Sequence, residues 1–78
     1  MYQVIKRDGR KVDFDLSRIA NAITKAFDAT EIPYNTDIIN LLALQVTADY
    51  AGKIRDGRID VETIQDSVEA VLQRAGYA

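Results

Sequence analysis

Four cations crowd six positions near the start of the chain, Lys6-Arg7-Asp8-Gly9-Arg10-Lys11, and they are the side chains best suited to grip an anion. Around a tight turn, lysine point charges and forked guanidinium donors could wrap a polyphosphate. With no ligand, the same cluster would simply be a solvated, solubilising tip. Twelve acidic residues offer the opposite chemistry. Asp13 and Asp15 are the tightest pair for acid–base work or a cation. One belongs to a strand and the other to a helix start, however, so sharing an ion would require both to turn. Asp66 and Glu69 read as the wet side of a helix. The sequence has no cysteine and no histidine, so it lacks thiolate nucleophiles, disulfides and the commonest general base and metal ligand. Gly9 and Gly57 stand without the Gly-Lys-Ser/Thr that closes a P-loop. Tyr2, Tyr34, Tyr50 and Tyr77 are scattered, which gives no stacking platform for single-stranded nucleic acid.

The elements that must position these residues belong to a chain of 78 residues, which reads as one domain spanning 1–78 and too small for a deep catalytic cleft. A hydrophobic share of 47% and a charged share of 28% are those of a folding globular protein. The net charge of -2 argues against coating a nucleic acid, which needs a basic excess. The segment Asp60 to Glu69 holds four acids and no base, so the charge is segregated and a local anion site fits better than a polyanion-binding surface. No apolar run reaches the ~20 residues that span a bilayer, and the start lacks a signal-peptide layout. A cytoplasmic location is the expectation.

Asp8-Gly9 between two alternating segments predicts a β-hairpin over 2–14 with a two-residue type I′ loop, placing Ile5 opposite Val12 and Gln3 opposite Phe14. From Asp15, a natural N-cap, Leu16, Ile19, Ala20, Ile23, Ala26 and Phe27 recur with helical spacing. Ser17, Arg18, Asn21 and Lys25 fall on the opposite, polar face. Pro33 marks a loop, and Asn35 or Thr36 caps a second and most buried helix lined by Ile38, Ile39, Leu42, Val46 and Tyr50. Gly52, Asp56 and Gly57 act as breakers. Asp60 caps a third helix carrying Val61, Ile64, Val68, Val71, Leu72 and Ala75 on one face, with Gly76 just past its end. The predicted fold is α+β: an N-terminal β-hairpin capping a small bundle of three helices over about 16–28, 36–54 and 61–75. The third helix keeps its apolar stripe to the end, which points to a neighbouring helix or a longer parent chain.

Val4-Ile5-Lys6-Arg7-Asp8-Gly9, then Phe14-Asp15 and Arg18-Ile19-Ala20-Asn21-Ala22-Ile23, closely resemble the ATP-cone domain of ribonucleotide reductases. Leu42-Ala43-Leu44-Gln45-Val46-Thr47-Ala48-Asp49 and the segment Ile59 to Glu69 are most similar to the cone of the anaerobic, glycyl-radical ribonucleoside-triphosphate reductase. The resemblance covers essentially the whole chain. It implies a small β lid on a helical bundle that binds ATP or dATP, with Mg²⁺, and regulates a separate catalytic domain in deoxyribonucleotide synthesis. It also implies one further helix after Gly76-Tyr77, a possible cone–cone self-association, and no catalytic residues within the cone itself. Carried over by position, Val4, Lys6, Arg7, Val12, Asp15, Arg18, Val61 and Gln65 are the nucleotide-binding residues. Lys6, Arg7 and Arg18 would meet phosphates, while the backbone near Val4 and Val12, together with Asp15, would meet base or ribose. Arg18 stands where lysine is common, exchanging a point charge for a fork. Val12, Val61 and Gln65 replace residues that are often Glu, Thr and His or another ionisable group.

Other functions carry different marks. A repressor of reductase genes pairs a similar cone with a zinc ribbon, and the lack of cysteine speaks against that here. A cone-bearing kinase for a small phosphorylated acid would differ only in downstream sequence. A ligand-free, helix-docking interaction domain would show no adenine preference.

Overall fold

A computed structural model describes residues 2–77; any helix past Ala78 lies outside them. Strands β1 (Gln3–Ile5) and β2 (Lys11–Asp13) are followed by helices α1 (Leu16–Ala29) and α2 (Thr36–Tyr50). A 3-10 turn over Ala51–Lys53, strand β3 (Arg58–Asp60) and helix α3 (Val61–Arg74) complete the chain. The sheet order is β2-β1-β3, with β2 antiparallel and β3 parallel to β1. An α+β fold with a hairpin over three helices is what the periodicity predicts; the third strand is an addition to it.

The hairpin register differs from expectation by one residue. Gln3 pairs with Asp13, Val4 with Val12 and Ile5 with Lys11. The loop has three residues, because the Lys6 carbonyl accepts from the Gly9 amide at 2.9 Å while the Lys6 amide donates to the Arg10 carbonyl at 2.8 Å. This is a type I turn closed by Gly9 at φ 87°, the three-residue loop in which a left-handed residue completes the reversal. The slip reverses which side chains face inward. Val4, not Ile5, is buried, in a row Val12–Val4–Ile59 that crosses all three strands above the helices.

The two-residue turn occurs instead at Asp56-Gly57, where both residues have positive φ, 53° and 71°. Arg55 and Arg58 exchange both backbone hydrogen bonds at 3.0 Å across it. The segment read as a simple breaker thus delivers the chain into β3. Ile59 is the only buried residue of that strand, so no alternation advertises it. Asp60 starts α3 without a side-chain capping bond, contrary to the expected cap. Asp15 caps α1 by accepting from the Ser17 amide, and Asn35 caps α2 by accepting from the Ile38 amide. The second helix ends at Tyr50 rather than at 54, tightening into the 3-10 turn ahead of Ile54.

The core is built on α2, which packs against both α1 and α3, while α1 and α3 scarcely touch. Ile23, Phe27, Val46, Tyr50 and Val71 are essentially inaccessible to solvent. Each such side chain contributes about 1.5–3 kcal/mol of burial. Helix α1 begins just after β2 and α3 directly after β3, so both start at the sheet. Their far ends meet again where the rings of Phe27 and Tyr77 lie 4.9 Å apart. Both helices therefore run away from the sheet side by side. Tyr77 is held there because its amide donates to the Leu72 carbonyl at 2.8 Å and that of Gly76 to Gln73 at 3.1 Å, the paired bonds of a Schellman ending.

Candidate functional site

Two helices that start together and do not pack leave a space between them. Here it is a cleft of 710 Å³, roofed by the hairpin. Val4, Lys6 and Val12 come down from the sheet, with Asp13, Phe14 and Asp15 leading into α1. Ser17, Arg18, Asn21, Ala22 and Lys25 form the α1 wall, and Val61, Ile64, Gln65 and Val68 the α3 wall. Apolar and cationic side chains thus line one opening, the mixture typical of a small-molecule site.

Of the expected binding residues, Val4, Lys6, Val12, Asp15, Arg18, Val61 and Gln65 all line this cleft. Arg7 lies beside it, in a smaller hollow at the hairpin tip that shares Lys6, Val61 and Gln65. Its guanidinium donates to Gln65 Oε1 at 2.9 Å and stands 3.7 Å from the Glu62 carboxylate. Both members of that ion pair are well exposed, so it positions the tip more than it stabilises the fold. Arg10 is tied back to Asp8, its Nε donating to Oδ2 at 2.7 Å. Lys11 pairs with Ile5 on the sheet face turned away from the Val4 row. The four-cation tip is therefore divided, with Lys6 in the cleft, Arg7 at its edge, Arg10 internally paired and Lys11 directed away.

The charges along the cleft are asymmetric. Among the described residues, Lys6, Arg18 and Lys25 have no ion-pair partner. Asp15 is occupied as a cap, with its carboxylate accepting from the Ser17 hydroxyl at 2.7 Å and the Ser17 amide at 3.0 Å. Those bonds, the hydroxyl first, hold its carboxyl below the usual carboxylate range, with a smaller contribution from Arg18. Asp15 is thus a fixed acceptor at the lip of the cleft. Among the described residues no group of three or more acidic side chains could hold a metal ion.

Asn21, Lys25 and Val68 extend the cleft beyond the expected set. The polar face Arg18-Asn21-Lys25 was visible as helical spacing; that α3 would stand opposite it was not, because periodicity fixes faces and not the gap between helices.

Beneath the roof lies a second network. Tyr2 stacks on Phe14 with centroids 4.6 Å apart, and its hydroxyl meets that of the wholly buried Tyr50. Burial, the larger effect, raises the Tyr50 phenol far above its ordinary value, and the bond to Tyr2 adds to it. Burial likewise raises Tyr2, with the bond to Tyr50 acting the other way. Both phenols stay neutral at physiological pH and tie the end of α2 to the cleft wall.

Fold and site together define a small α+β module whose sheet and helix starts converge on an anion-receptive cleft. The ATP cone domain family model matches residues 2–78, and the chain belongs to that family. It is 36% identical over 95% of its length to the ribonucleoside-diphosphate reductase subunit alpha of Chlamydia pneumoniae. The corresponding values are 34% over 97% for the anaerobic ribonucleoside-triphosphate reductase of Haemophilus influenzae, and 39% over 95% for the vitamin B12-dependent ribonucleoside-diphosphate reductase of Mycobacterium tuberculosis. The chain spans only 8%, 10% and 10% of those relatives, respectively, and so corresponds to a small segment of them. No helix is long and apolar enough to cross a membrane among the described residues.

Proposed function

We propose that the cleft between α1 and α3 binds ATP or dATP and that its occupancy sets the activity of a cytoplasmic ribonucleotide reductase. The observation that carries this reading is the placing of Lys6 and Arg18, both without ion-pair partners among the described residues, beside Val4, Val12 and Gln65 in one opening. The binding residues are Val4, Lys6, Arg7, Val12, Asp15, Arg18, Val61 and Gln65. Lys6, Arg7 and Arg18 take the phosphates; the strand backbone near Val4 and Val12, with Asp15, faces base and ribose. Mg²⁺ arrives on the triphosphate, a role that needs no dedicated carboxylate cage.

Regulation requires that ATP and dATP favour different arrangements of the parent enzyme. A coupling of about 1–3 kcal/mol, read through the ribose 2′-hydroxyl, suffices. The partner is the catalytic domain, with cone–cone contact as the assembly that the nucleotide shifts. The segments Leu42 to Asp49 and Ile59 to Glu69 favour an anaerobic ribonucleoside-triphosphate reductase as the parent. The 39% identity to the Mycobacterium tuberculosis protein supports a second reading, a vitamin B12-dependent parent. The sequence that follows this segment in the parent protein separates the two.

Calorimetry with ATP, dATP, GTP and CTP in the presence of Mg²⁺ tests the binding claim. Adenine nucleotides should bind preferentially. Equal binding of all four, or none at millimolar concentration, would refute it.

A further inference from the structure

The polar face of α1 continues past the residues used so far. Arg18, Ala22 and Lys25 stand at i, i+4 and i+7, and all three line the same cleft. From Arg18 to Lys25 the helix advances about 10.5 Å away from the sheet. A lysine side chain on a helix leans back toward the N-terminus, so the Lys25 ammonium is carried toward Arg18.

Among the described residues Lys25 has no ion-pair partner. Asp28, one turn further along α1, is held by Tyr34, whose hydroxyl donates to Asp28 Oδ1 at 3.0 Å. Among the described residues, the only carboxylates lining the cleft, Asp13 and Asp15, are at its sheet end, and Asp15 is engaged by Ser17. Of the α3 residues that line the cleft, Val61, Ile64 and Val68 are apolar and Gln65 is neutral. An ammonium that lines a cleft and has no ion-pair partner among the described residues is an incomplete electrostatic arrangement that an anion completes.

We infer that Lys25 contacts the terminal phosphate of the bound nucleotide and makes the site selective for triphosphates over shorter phosphate chains. This rests on the nucleotide reading of the cleft. Lys6 and Arg18 anchor the chain at the sheet end, and only a triphosphate extends far enough down the groove to reach the third cation. Lys25 is thus a specificity-determining residue at the end of the cleft farther from the sheet.

The test is titration of the full chain with Mg-ATP, ADP, AMP and inorganic tripolyphosphate, for the unaltered protein, Lys25→Ala and Lys25→Arg. Lys25 is exposed in mid-helix and alanine is the better helix former, so the thermal melt should be unchanged or slightly higher. Lys25→Ala should weaken ATP and tripolyphosphate about tenfold while leaving AMP unchanged and ADP within about threefold, and Lys25→Arg should restore most of the loss. Equal losses for ATP, ADP and AMP, or an unchanged ATP affinity, would overturn the assignment. An unaltered protein that ignores adenine nucleotides but takes tripolyphosphate through Lys25 would remove the nucleotide reading and keep Lys25 as a polyphosphate contact. Failure of both ligands would remove both.

Discussion

The seam between α2 and α3 and the gap between α1 and α3 involve the same third helix, yet they are built in opposite ways. Along the first, Val46 and Val71 are buried almost completely, and Arg74 of α3 donates to Asp49 of α2 at 2.9 Å. The Asp49 carboxyl is held below its ordinary value, first by the Ser67 hydroxyl and then by Arg74. Ser67 is itself buried, and among the described residues its hydroxyl makes no hydrogen bond of full geometry, Asp49 included, so its hold on that carboxylate is a loose one. Along the second, Lys6, Arg18 and Lys25 share one opening with aliphatic side chains and have no ion-pair partner among the described residues. Stability is concentrated where α2 fills the space, and the proposed recognition where nothing does.

Phe27→Ala should break the first region most severely. Its ring is 1% exposed and touches Tyr34 and Tyr77, so truncation should cost about 3–5 kcal/mol in chemical denaturation. The cleft variants Lys6→Ala and Arg18→Ala should do the reverse. ATP affinity in calorimetry falls tenfold or more, about 1.4 kcal/mol, while the melting temperature scarcely moves. A large stability loss in either would mean that these cations serve the fold after all.

A smaller effect, of opposite sign, is expected at the end of α1. Glu31 takes a left-handed φ of 57° to complete a Schellman ending in which the Ile32 amide donates to the Phe27 carbonyl at 3.0 Å. Glycine adopts that conformation without strain, so Glu31→Gly should raise stability by about 0.5–1 kcal/mol with nucleotide affinity unchanged. The smallest effect is at Asp49. A carboxyl whose folded value lies below its ordinary 3.8 stabilises the protein above that value and loses the contribution as pH falls through and below it. Melting temperature should therefore drop less steeply between pH 5 and pH 3, roughly, in Asp49→Asn than in the unaltered chain. Parallel pH profiles would show that the seam does not depend on this charge.

Much of the architecture is legible in the sequence. The three helical stripes, the caps Asp15 and Asn35 and an early hairpin together specify a sheet over a small bundle. The errors come from identical dipeptides in different settings. Asp8-Gly9 and Asp56-Gly57 both invite a type I′ turn, and only tertiary pairing decides that the second takes it while the first opens into a three-residue loop. Strand β3 was invisible because three residues with a single buried side chain carry no alternation, and its pairing with β1 is a long-range event. At the site, helical spacing gave the polar face of α1, and positions carried over from the resemblance gave the sheet and α3 residues. That Lys25 shares an opening with them depends on how far apart α1 and α3 stand, which no local pattern encodes.

The central claim is that one polyphosphate-bearing nucleotide occupies the gap that α2 leaves between its neighbours. Amide NMR of the full chain during titration with Mg-ATP tests it most directly. The account predicts saturable shifts at Lys6, Val12, Arg18, Lys25, Val61 and Gln65, with the outward positions Leu41 and Leu44 of α2 undisturbed. Shifts centred on α2, or none up to millimolar ATP, would contradict it.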